Sequence, residues 1–134
     1  MKTIQEIQNE VIKKYRVKIE ANSRCWSRTH AHVKKRTICK WKQKSSIAST
    51  FTLFHEIGHI ETFKGWMRRC ESEYYATVWA LERFKEYNLV CPDSYIDDYQ
   101  DYIYRELERG LRRGGSNYPS REDLDLRRVI CEEV

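Results

Sequence analysis

Residues 50–63 are apolar almost all the way round a helix. Such a segment suits a central buried helix, with the rest of the chain packed around it. What flanks it is of two kinds. Ahead of it one helical pattern gives way to a short-period one. Residues 4–14 predict a helix, with Ile4, Ile7, Val11 and Ile12 at near-helical spacing. Residues 15–20 then alternate, with Tyr15, Val17 and Ile19 on one side, which predicts a half-buried strand. Residues 21–23 read as a turn, 25–33 as a short strand, 36–42 as another strand, and the serine-rich stretch 43–49 as a loop. Behind it the pattern is helical throughout. A second long helix runs from Trp66 or Arg69 to Tyr87, and Pro92 ends that run. A third helix covers about 94–113, with Ile96, Tyr99, Ile103 and Leu107 on one stripe and Gly114–Gly115 at its end. Ser120 followed by Asp123 resembles a capping box that opens a last helix through Cys131.

Helix, small sheet and then helices define an α+β class. The chain of 134 residues suits one domain, 1–134, with a sufficient core. Its parts are an N-terminal helix and basic small sheet (1–50), a central helix pair (51–90) and C-terminal helices (91–134). Charged residues at 34% and hydrophobic ones at 40%, with five Gly and two Pro, exclude collagen-like and disordered chains. No apolar run is long enough to span a membrane, and Met1 leads into a polar stretch rather than a secretory signal. The five cysteines are odd in number and contain no C-x-x-C pair, which points to reduced thiols in a cytoplasmic protein.

Inside the central helix, His55-Glu56-Ile57-Gly58-His59 has the pattern H-E-x-x-H. Positions i and i+4 lie about 40° apart around a helix and about 6 Å apart along it, so two imidazoles can close on one zinc ion. Glu56, the next residue round, can then reach a water in the open coordination position. Leu53, Ile57 and Ile60 fall on the opposite face, so the helix is anchored by its back. Gly58 costs about 1 kcal/mol relative to Ala in a helix interior. A close approach of backbone or metal would justify that cost.

A third ligand is required, and no histidine follows His59. The candidates are Glu71 and Glu73 on the next helix. At about 100° per residue, Glu73 falls about 60° from Ala76, within the apolar face of Trp79, Ala80, Phe84 and Tyr87, whereas Glu71 falls at about 220°. A carboxylate on a buried face is costly unless paired or metal-bound. Glu73 is therefore chosen, with Glu71 as the fallback. His30 and His32 alternate, and a second metal site or a substrate contact is conceivable there.

Two stretches resemble the ImmA/IrrE family of zinc metallopeptidases. F-T-L-F-H-E-I-G-H-I at 51–60 is similar to the family's F-T-L-x-H-E-L-G-H-hydrophobic stretch, and E-Y-Y-A-T-V-W-A at 73–80 resembles its later E-x-x-A-[ND]-x-[FW]-A element. The resemblance covers roughly residues 1–90. Thr77 stands where Asn or Asp is usual, and the gap from His59 to Glu73 is short. The resemblance implies an α+β zincin-like minimal domain in which His55, His59 and Glu73 bind Zn2+ and Glu56 is the catalytic base. It also implies a phage or mobile-element setting and a protein substrate such as a DNA-binding repressor.

Two other functions compete with a metallo-endopeptidase. One is a zincin-like binding protein that does not cut its partner. The other draws on charge. Residues 1–50 hold 13 Lys/Arg against three Asp/Glu, and residues 51–134 hold 12 against 17. The basic half can make weak nucleic-acid contact, or be a solvated face with no partner.

Overall fold

Residues 1–22 and 28–132 are described by the structure, a computed structural model. Ser23 of the expected turn and residues 25–27 of the expected second strand lie outside the described residues. So do Cys25 and the Cys131 side chain. Of the remaining thiols, Cys39 and Cys70 are buried and Cys91 is half-buried, and none is bridged.

Helix α1, Ile4–Lys14, is started by Thr3. The Glu6 N–H donates to Thr3 Oγ1 and the Thr3 N–H to the Glu6 carboxylate, a reciprocal capping box. Ile7 and Val11 are its buried stripe. The strand expected over 15–20 is shorter, Lys18–Glu20 (β1). The helix end takes the first residues: Tyr15 N–H bonds back to Val11, and Arg16 turns the chain at φ 52°. His30–His32 form β2 and Thr37–Cys39 form β3. The order is β1-β3-β2, with β1 parallel and β2 antiparallel to β3. Lys40, at φ 62°, stops β3, so Trp41 is not a strand residue as expected. Instead its indole N–H donates to the Ser49 carbonyl and anchors the start of the next helix.

Helix α2, Ile47–Thr62, begins earlier than the sequence pattern suggests. Ser46 accepts the Ser49 N–H, so the serine run read as loop supplies an N-cap. Helix α2 buries a broad face, from Thr50 and Phe51 through Phe54 and His55 to Ile57, Gly58 and Ile60, while Thr52, Glu56 and His59 on the remaining side are only half-buried. Helix α3, Arg69–Glu86, forms its largest interface. Helix α4, Asp93–Arg112, packs on α3 and buries Ile96, Ile103 and Leu107, with Tyr99 half-buried on the same stripe. It ends on Gly114 at φ 83°, with Gly115 N–H bonded to Gly110 and Gly114 N–H to Leu111, a Schellman closure. Ser120 and Asp123 do form reciprocal bonds. They open a 3₁₀ turn, Glu122–Leu124, rather than one continuous helix, and α5, Leu126–Glu132, follows separately.

The architecture is α+β, five helices and a small mixed sheet among the described residues. One apolar cluster gathers α1, β3, α2 and α3 around Val11, Ile38, Phe51, Phe54, Ile57 and Trp79. A second joins α3, α4 and α5 through Cys70, Ile103, Leu107, Leu124 and Leu126. Tyr99, Leu81 and Cys91 pack against both. No helix is long and apolar enough to cross a membrane among the described residues.

Candidate metal centre

The two histidines of α2 reach one place because their helix is held from behind. Leu53, Ile57 and Ile60 are buried on the far face. Helix α3 comes close because Gly58 has no side chain. A Cβ there would lie 2.6 Å from the Ala76 carbonyl oxygen, so the glycine is needed where two backbones meet. One turn before Ala76, α3 points Glu73 at both imidazoles.

Glu73 Oε2 lies 3.2 Å from His55 Nε2 and 3.3 Å from His59 Nε2. These separations match the edges of a tetrahedron built on metal–ligand bonds of about 2.0–2.1 Å, which are about 3.3–3.4 Å long. All three ligand atoms lie within 4.8 Å of one another, and the group can hold a metal ion. His55 and Glu73 are buried and His59 is half-buried. Among the described residues this is the one His/Cys/Asp/Glu group of that kind, and His30 and His32 do not form a second. Their rings are 5.8 Å apart on β2, and His30 lines the same cleft as the three residues.

The electrostatics of the group call for a cation. Burial, then the neighbouring His59, drive the His55 imidazole down to about 3, so it is neutral. Its Nε2 is buried and no hydrogen bond satisfies it, although the Glu73 carboxylate is beside it. A lone pair facing a carboxylate oxygen is unfavourable unless a positive charge sits between them. Burial would also lower His59, but the hydrogen bond to Glu73 and its negative charge hold His59 above the ordinary imidazole value. Burial works to raise Glu73, yet the hydrogen bond and charge of His59 leave it below the usual carboxylate range. The donor set of two imidazole nitrogens and one carboxylate is suited to a divalent metal, and the residues present fit one.

Residues around the group orient it. Ser72 Oγ lies 3.1 Å from His59 Nδ1 and holds the ring with Nε2 facing Glu73. Arg69 Nε lies 3.4 Å from Glu73 Oε1, the oxygen turned away from the histidines. Thr77 is fully buried and donates to the Glu73 carbonyl, so its hydroxyl is satisfied within α3. The ring of Tyr99 stands 4.7 Å from that of His55 and closes the group from α4. Glu71 lies elsewhere: its carboxylate accepts the Arg68 N–H and caps α3. Glu56 is half-buried and lines a cleft of about 520 Å³ together with His55, His59 and Glu73. Burial raises its carboxyl to about 7.

Sequence reasoning missed Ser72, Arg69 and Tyr99. Arg69 had a signal, since it precedes Glu73 by one helical turn. Tyr99 sits on the apolar stripe of α4, and nothing in the spacing tells that stripe's cleft end from its core.

No protein-family model, no curated protein and no solved structure matches the chain. Fold and site thus define a class: an α+β protein with a buried His-His-Glu group able to hold a metal ion at the base of a cleft.

Proposed function

We propose that this chain is a zinc-dependent metallo-endopeptidase of the ImmA/IrrE kind that cleaves a protein in the cytoplasm. The observation that carries the reading is the meeting of three features in one cleft: His55, His59 and Glu73 at ligand spacing, a buried His55 Nε2 with no hydrogen bond, and a half-buried Glu56 beside them. When bound, zinc supplies a water of lowered pKa and a Lewis acid for a carbonyl oxygen. The chain's own residues do the rest. His55, His59 and Glu73 hold the ion, and Ser72 and Arg69 fix two of them in orientation. Glu56 takes the proton of the attacking water and delivers it to the departing amine. Tyr99, from α4, keeps bulk water from His55. The resemblance of residues 51–60 and 73–80 to the family points to DNA-binding repressors as the target class.

The test compares the wild-type chain with Glu56→Gln and His55→Ala in zinc content, fold and proteolysis. Wild type is expected to hold about one zinc per chain. Glu56→Gln keeps size and polarity but loses basicity. It should retain zinc and fold while proteolysis falls by about 10²–10⁴-fold. His55→Ala should lose both. Full biological effect in Glu56→Gln, with loss in His55→Ala, would make the protein a metal-dependent binder that does not cut. Full effect in both would move the function to another surface, with the basic half first in line.

A further inference from the structure

Three arginines line the cleft beside three carboxylates, Glu56, Glu73 and Asp98. Arg28, Arg69 and Arg105 all line it, and they come from three separate segments: the approach to β2, the first turn of α3 and the middle of α4. Arg69 is engaged, with Nε near Glu73 and Nη2 donating to the Tyr102 hydroxyl at 3.3 Å. Arg105 stands over the same Tyr102 ring, 5.9 Å from guanidinium to centroid, so this tyrosine holds two arginines at one wall. Neither Arg105 nor Arg28 forms an ion pair with any carboxylate among the described residues. Arg28 is on the Glu56 side. Burial dominates the Glu56 carboxyl, and Arg28 is among the charges that oppose it. The remaining acidic residue of the cleft, Asp98, is exposed at its rim and pairs with none of the three.

Unpaired guanidinium groups on flat surface are simply hydrated. In a concave cleft, each instead offers a planar fork that matches a carboxylate. We infer that the cleft selects peptides that carry a carboxylate close to the bond presented to His55, His59 and Glu73, with Arg105 and Arg28 as its receivers. This rests on the peptidase reading and names its substrate class. The carboxylate comes from an acidic side chain or from a free C-terminus, the latter making the cut that of a carboxypeptidase rather than an endopeptidase.

Binding to the zinc-loaded Glu56→Gln chain tests this without turnover. Three labelled octapeptides serve as probes: an amide with Glu at alternate positions, its Gln counterpart, and the Gln counterpart with a free C-terminus. At low salt, a carboxylate-bearing peptide is expected to bind about tenfold tighter than the neutral amide. Which of the two does so identifies the source. The advantage should fall below about twofold in an Arg28→Gln/Arg105→Gln background, and also at high salt. Both arginines are exposed, so the fold should be unchanged. Equal binding of all three peptides overturns the inference, as does an advantage that persists in the double variant. Wild-type turnover separates the two readings. Selective binding of carboxylate peptides with no cleavage of any keeps the carboxylate preference and removes the peptidase. Cleavage of neutral and acidic peptides at equal kcat/KM keeps the peptidase and removes the preference.

Discussion

Glu71 and Glu73 are two residues apart on one helix and do different things. Glu71 accepts a backbone N–H at the start of α3, where orphan donors and the helix dipole favour a carboxylate. Glu73 is buried against His55 and His59, where a lone carboxylate would be costly without a partner. Their alanine variants should therefore separate. Glu73→Ala is expected to lower bound metal sharply. Glu71→Ala should keep the metal and lose about 1 kcal/mol of stability through the missing cap. Metal analysis and urea melts of the two proteins check this. An empty site in Glu71→Ala alone would reverse the assignment.

The α2–α3 pair carries the ligands, and Gly58 sets their separation. In a free helix, Gly58→Ala would gain about 1 kcal/mol of propensity. Here the added methyl meets the Ala76 backbone, which cannot rotate away as a side chain could. Overpacking of this kind costs about 1–3 kcal/mol, so the variant should be destabilised, not stabilised. It should also bind metal less tightly, because α3 must shift with Glu73 on it. Chemical denaturation and a metal titration on the same protein would measure both. A variant more stable than wild type would show that the helices do not meet there. The strands follow a different logic. Each of the three has only three residues, and left-handed residues flank two of them, Arg16 ahead of β1 and Arg36 and Lys40 on either side of β3, where an alternating pattern gives no signal.

Across the molecule, charge is divided more sharply than the net +5 suggests. Lys40, Lys42 and Lys44 border a shallow groove at the start of α2, so part of the basic half is concentrated on one surface. Weak, non-specific DNA binding is expected there, with affinity falling steeply between low and moderate salt as counterions are released. Anisotropy titrations of a labelled duplex at several salt concentrations test it. Tight binding to one sequence would instead make this surface the main functional one.

Much of this was legible from periodicity. The 3.6-residue repeat placed α1, α3 and α4, and the all-round apolar character of 50–63 marked the helix at the centre. Helical angles also put Glu73 rather than Glu71 on the buried face, because a wheel needs only residue spacing. Three things were beyond it. The strand ends, the capping role of Ser46 and the break between the 3₁₀ turn and α5 depend on single backbone conformations, which apolar patterning does not encode. The closure of the site by Ser72, Arg69 and Tyr99 depends on how α3 and α4 are set against α2. The third is the collection of three arginines in one cleft from positions 28, 69 and 105. Local spacing ties a residue to its own helix or strand, whereas contacts between residues far apart in the chain exist only once those elements have packed.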